Sequence, residues 1–211
     1  MAQVTSGIRR ILSMPSVYNL FTKIIGGPDA GWKLTREYIH PKPGMRVLDV
    51  GCGTASALNF LPEDVDYTGF DPNQAYINAA KQKWGSRGRF ICQAIHAFEA
   101  EHAQCFDLVL GIGVLHHLDD PDAKRFFSLA KTILTPGGRA VTVDCCLVPR
   151  QHPLARFLIL HDRGKNVRPP EGFVALASGS FDHVESAVRH DILRIPYTHI
   201  IMTCRQPSAP A

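Results

Sequence analysis

The chain has 211 residues, 45% of them hydrophobic and 20% charged. At roughly 150 residues per domain this describes one compact unit with an ordinary core, and it excludes global disorder. The 23 Lys and Arg against 19 Asp and Glu leave a net charge of +4; the basic residues are scattered, so no nucleic-acid partner is expected.

Ile8, Ile11, Leu12, Leu20, Phe21 and Ile24 recur at helical spacing, broken at Pro15. They predict two short amphipathic helices ending at Gly26–Gly27. A third helix is predicted from Asp29 to Ile39, stopping before Pro41, so that residues 1–40 form an N-terminal helical cap. The apolar face of these helices, with Arg9, Arg10 and Lys23, leaves membrane-surface contact open, but capping the core or a pocket is the expectation. Tyr18 is expected to pack in the core rather than close over a ligand.

Beyond the cap, apolar runs at Arg46–Val50, Asp66–Phe70, Arg89–Cys92, Phe106–Leu110 and Arg139–Asp144 read as strands. Helical stretches intervene at Ala55–Leu61, Gln74–Trp84 and Pro121–Leu134. The first and fourth runs are almost uniformly apolar, as strands covered on both faces should be. Such alternation predicts an α/β fold with a doubly wound, mainly parallel sheet. Two further strand-like runs, Phe181–Ile192 and Ile195–Cys204, meet at Arg194–Pro196 with no room for a crossover helix. They are expected to form a C-terminal antiparallel hairpin and complete a seven-stranded sheet. The single domain then spans residues 1–205, and residues 206–211 form a frayed tail.

The six cysteines form no C-x-x-C, and no His pair stands at zinc-finger spacing, so no metal site is expected. Most fall in apolar runs, where a reduced Cys packs as a small hydrophobe. No run of about 18 apolar residues is present, so no transmembrane segment is expected. Nor does the N-terminus read as a signal peptide; a reduced, cytoplasmic setting is the expectation.

The sharpest local signal is Val47-Leu48-Asp49-Val50-Gly51-Cys52-Gly53-Thr54-Ala55, a buried strand running into two glycines and then a predicted helix. Glycine there permits a tight turn and close approach to a ligand, and a helix just beyond would point free N–H groups at an anion. A dinucleotide fingerprint would place its third glycine where Ser56 stands. Asp71 ends the second strand about 20 residues further on, where a carboxylate can accept from both hydroxyls of a ribose. The same Asp71-Pro72-Asn73 also reads as a turn or helix cap.

Four stretches in order then resemble the class I S-adenosylmethionine-dependent methyltransferases. They are Val47–Ala55; Gly69-Phe70-Asp71-Pro72-Asn73; Phe106–Leu110 leading into Gly113-Val114-Leu115-His116-His117-Leu118; and Leu134-Thr135-Pro136-Gly137-Gly138-Arg139. The resemblance implies a Rossmann-like fold with S-adenosyl-L-methionine as cofactor. Asp49, Gly51, Cys52 and Gly53 would surround its methionine portion, Asp71 and Pro72 its ribose, and Gly111 to Gly113 its sulfonium. The acidic residue that many relatives carry after the third strand is missing, so backbone near Ile95 or the Gln93 side chain would meet the adenine.

Methyl transfer from a sulfonium needs alignment and exclusion of water, and a base only where the acceptor must lose a proton. His116, His161 and His199 are the candidate bases, while His117 is expected to be structural. The resemblance makes residues 147–180 a substrate-side insertion, in which Arg163, Lys165 and Arg168 either bind an anionic group of the acceptor or form a solvated basic loop. The favoured reading is a methyltransferase acting on a small-molecule acceptor, with oxygen as the atom the histidines suggest. Its alternatives are a cofactor-binding partner protein without catalysis and an NAD-dependent oxidoreductase; the oligomeric state is left open.

Overall fold

The computed structural model describes residues 27–98, 104–162 and 164–207. The two predicted helices before Gly27, Tyr18, Arg163 and the tail from residue 208 lie outside the described residues. Strands β1 (Arg46–Val50), β2 (Asp66–Asp71), β3 (Arg89–Cys92), β4 (Phe106–Ile112), β5 (Leu134–Cys145), β6 (His183–Arg189) and β7 (His199–Arg205) form one sheet in the order β3-β2-β1-β4-β5-β7-β6. β1 to β5 pair in parallel, and β7 runs antiparallel between β5 and β6. The seven-stranded α/β sheet with its terminal hairpin is the expected one.

The order reverses between β1 and β4, which opens a crevice beyond their C-terminal ends, the usual ligand position in an open α/β sheet. β1 and β4 can lie at the centre because both faces are apolar: Val47, Leu48, Leu108, Val109 and Leu110 are fully buried. One face packs with α3 (Asp120–Ile133) and α5 (Pro170–Ser178) through Phe126, Phe127 and Phe173. The other packs α2 (Gln74–Trp84) and α1 (Gly27–Leu34) around Tyr67, Ile77 and Leu34.

Three expectations are corrected. The helix predicted at Ala55–Leu61 is a single 3-10 turn, Ser56–Asn59. Ala55 enters it in the left-handed region (φ 55°), the Asn59 amide turns back to Ser56 O, and Pro62 disfavours helical backbone at Leu61. The helix predicted over Asp29–Ile39 divides into α1 and a π-helical turn, Thr35–Ile39, closed by left-handed His40. The hairpin strands are shorter than predicted, because residues 190–198 form a loop that lines the crevice.

Segment 147–180 carries α4 (Pro153–Leu160) and α5. The first ends at the crevice, whereas the second is part of the core. Gln206 and Pro207 bond to Gly138 and Gly137 through their backbones, which ties down the start of the tail. Among the described residues no helix is long and apolar enough to cross a membrane.

Candidate active site

The crevice is a cavity of about 520 Å3, within the ordinary range for ligand pockets. One end is built from backbone. Gly51 (φ 68°) and Gly53 (φ 55°) turn the chain in the left-handed region. A Cβ on Gly51 would come within 2.6 Å of Val114 Cγ2, so this glycine also allows the β1 and β4 loops to touch.

The loop's donors face inward. Gly51 and Cys52 N–H donate to Phe70 O at 2.8 and 3.0 Å, Gly53 N–H to Asp71 Oδ2 at 3.1 Å, and Ala55 N–H to Cys52 O at 2.8 Å. None of these four donors is left to face an anion, and no full helix follows.

Asp71 accepts from Gly53 N–H and, at 2.8 Å, from Asn73 N–H, which aims its carboxylate along the cavity wall. Burial pushes its pKa up, and those two bonds draw it back. Capping of α2 falls to Asn73, whose Oδ1 accepts from Ala75 and Tyr76 N–H. The cap reading of this turn thus falls on Asn73, and Asp71 faces the cavity. Asp49, also on the wall, is buried enough to hold its carboxyl up to about 7, although Tyr67 O–H donates to Oδ2 at 2.6 Å. Burial likewise raises the Cys52 thiol, which is no nucleophile there.

The other end is built from side chains. His116 sits on the 3-10 turn Leu115–His117 after β4. Its Nδ1 lies 2.8 Å from Asp144 Oδ1 at the end of β5, and its Nε2 lies 3.2 Å from Asp162 Oδ1 after α4. Burial alone would strip its charge, but the two carboxylates outweigh that and hold the imidazole up to about 9. Burial works against Asp162 too, yet the His116 cation keeps its pKa well below the usual carboxylate range. At neutral pH His116 is a clamped imidazolium with both nitrogens engaged, and it is not poised as the base expected of it.

A strap, Asp162 with residues 164–168, fixes this turn. Asn166 N–H donates to His116 O at 2.9 Å, and Gly164 N–H to Asp162 Oδ1 at 2.9 Å. Gly164 packs so closely on His116 that any Cβ would overlap the imidazole. Arg168 donates to Leu115 O at 3.1 Å, Leu118 O at 2.8 Å and Asp120 Oδ1 at 2.7 Å. The guanidinium, read from the sequence as either acceptor-binding or solvated, is spent on holding the histidine turn.

His161 stands on the cavity rim with its Nδ1 2.8 Å from Phe157 O. His199 opens β7 on the opposite wall; burial first, then the charges of His116 and His190, lower its pKa to about 4. It is therefore neutral at pH 7, and its buried Nδ1 has no partner. Asp144 Oδ2 is likewise buried without one. His117 stacks beside His116 with ring centroids 4.1 Å apart.

Gly113 joins the wall, but Pro72, Ile95, Gly111 and Lys165 do not. Ile95 is a core residue, Lys165 is exposed, and Gly111 faces the ring of Phe126 on α3. Gln93 turns its amide to Ala97 O. Sequence reasoning missed Tyr76, Asp144, Asp162 and Tyr197 on the wall. A lone acid in the buried run Val141–Cys146 was the available signal for Asp144.

Among the described residues the wall carries Asp49, Asp71, Asp144 and Asp162 but no Lys or Arg. A ligand bearing an ammonium and a sulfonium suits such a wall. A pyrophosphate does not, and this weighs against the NAD alternative.

Residues 47–138 match a family model described as a methyltransferase domain. The chain is 26% identical over 171 residues to Phosphoethanolamine N-methyltransferase 3 of Arabidopsis thaliana, covering 76% of this chain and 34% of that one. It is 30% identical over 162 residues to the Ubiquinone biosynthesis O-methyltransferase of Brucella anthropi, covering 70% and 64%. The chain thus spans about a third of the length of curated relatives such as the Arabidopsis protein. Its fold is similar to that of the 1,6-didemethyltoxoflavin-N1-methyltransferase of Burkholderia thailandensis, solved with 1,6-didemethyltoxoflavin and S-adenosylhomocysteine bound. The TM-score is 0.69 at 18% identity, covering 95% of this chain and 86% of that one.

Proposed function

The chain belongs to the class I S-adenosylmethionine-dependent methyltransferase family, and on that premise we propose that it methylates a small-molecule acceptor, at a hydroxyl oxygen. S-adenosylmethionine, the family's cofactor, supplies a methyl group already activated on a sulfonium. The chain's own residues bind, orient and exclude water. Asp71 holds the ribose hydroxyls, and Asp49, raised by burial, gains a countercharge from the amino-acid ammonium. Gly51 and Gly53 keep the wall thin beside that portion, and Gly113 lies toward the sulfonium.

The observation that carries this reading is one continuous cavity joining the Gly51–Gly53 loop to a histidine wall, without a Lys or Arg among its described residues. An acceptor bearing a phosphate would find no Lys or Arg among the described residues of this wall, and the His116 cation is already held by Asp144 and Asp162. A hydroxyl finds on the wall the His199 imidazole, neutral at pH 7. An amine acceptor is the second reading, favoured by the carboxylates of Asp144 and Asp162.

Calorimetry tests the cofactor half: S-adenosylhomocysteine binds and NAD does not, and the opposite result would sink the proposal. Mass spectrometry of a panel of phenols, alcohols, amines and their phosphate esters, incubated with S-adenosylmethionine, tests the acceptor half. Methylation confined to the phosphate esters would overturn the acceptor reading.

A further inference from the structure

We infer that His116, His117 and Asp162 form a binding site for a divalent transition-metal ion at the acceptor end of the cavity. One ligand atom from each, two imidazole nitrogens and a carboxylate oxygen, lies within 4.8 Å of the others. The separation of His116 Nε2 from Asp162 Oδ1, 3.2 Å, already matches the roughly 3.3 Å edge between two ligands about 2.0 Å from a tetrahedral ion. The third is a nitrogen of His117, whose ring centroid is 4.1 Å from that of His116.

The surroundings are those of a built site. A metal-bound imidazole ordinarily gives its other ring N–H to a carboxylate, and Asp144 Oδ1 stands 2.8 Å from His116 Nδ1. Asp144 Oδ2, on a side chain only 1% exposed, lines the same cavity without a partner of its own, so the site retains unspent negative charge. The ligands ride on two segments bound to each other, through Asn166 N–H to His116 O and Arg168 to Leu115 O and Leu118 O. Gly164 allows their close packing.

Two imidazoles and one carboxylate select Zn2+, Co2+ or Fe2+ over Mg2+ or Ca2+. Binding releases to solvent the proton between His116 Nε2 and Asp162. All three ligands line the cavity, so an oxygen donor of a molecule bound there would complete the set. This use of the ion deepens the proposed reaction and rests on it; the binding of the ion does not.

Cobalt provides the test. Metal-free protein titrated with Co2+ alone should develop a saturable visible d–d band at one ion per chain, displaced by Zn2+, without the near-ultraviolet charge-transfer band of cobalt thiolate. Asp162→Asn and His117→Gln, each with its fold checked by near-ultraviolet circular dichroism, should abolish the band. Asp144→Asn should weaken binding about 10- to 100-fold. No saturable band, a thiolate band, or a d–d band surviving both His117→Gln and Asp162→Asn would overturn the proposal. A positive band with no methyl transfer on any acceptor would count against the proposed reaction alone.

Discussion

The two ends of the cavity are made by different means. The Gly51–Gly53 end is backbone from consecutive residues, with its N–H groups spent on Phe70 O, Asp71 and Cys52 O. The histidine end is side chains from four separate places: the turn after β4, the end of β5, the strap after α4 and the start of β7. A backbone wall tolerates loss of a side chain with its shape intact, whereas a charge network fails once a partner is removed. Stability and binding variants should therefore separate between the two ends.

The largest effect is expected at Asp144. Replacing it by Ala leaves the buried His116 cation with only Asp162, and breaking such a pair costs about 3–5 kcal/mol. Thermal unfolding should show the midpoint falling by about 2–4 °C for each kcal/mol. A midpoint within 2 °C of wild type, on the order of 1 kcal/mol at most, would mean that the histidine end is no stronger a network than a surface pair.

His199 sharpens the contrast through pH. Its folded pKa of about 4 lies below the ordinary value of 6.5, so the unfolded chain binds the extra proton. Its stabilising contribution is complete above pH 6.5 and is lost as pH falls through 4, to a limit of about 3 kcal/mol. Denaturant midpoints measured from pH 7 to pH 4 should fall less steeply in His199→Gln than in wild type. Parallel curves would remove this residue from the acid limb.

The smallest effect, and the one confined to binding, is expected at Asp71. Asp71→Ala should weaken S-adenosylhomocysteine by about 1.5–3 kcal/mol, the range for hydrogen bonds to a charged group. An unchanged dissociation constant by calorimetry would detach the carboxylate from the ribose and dissolve the backbone-against-side-chain distinction at its clearest point.

The backbone end was legible in the chain because its signals are local. A buried strand, two glycines one residue apart and an acid after the next strand occupy fixed sequence distances, and Gly51, Gly53 and Asp71 stand on the cavity wall as expected. Gly111 misled because glycine serves two purposes: it thins a ligand wall, and it admits a close helix, here the Phe126 ring. Ala55–Leu61 misled because helical composition cannot reveal that Ala55 enters left-handed and that the donors beyond β1 are already taken.

Local chemistry and periodicity alone determined the strands, their alternation with helices up to β5, the antiparallel return and the glycine turn after β1. Each depends on neighbours in the chain: apolar runs bury, glycines bend, and two strands too close for a crossover must pair antiparallel. Only the tertiary structure decided the protonation and the duties of the histidines. His116 became a clamped cation and His199 a neutral ring because Asp144 and Asp162, 28 and 46 positions away from His116, were folded against one of them and not the other. Arg168 went to the carbonyls of the histidine turn for the same reason. A side chain's charge and partners are set by what surrounds it in space, and sequence distance carries little of that information.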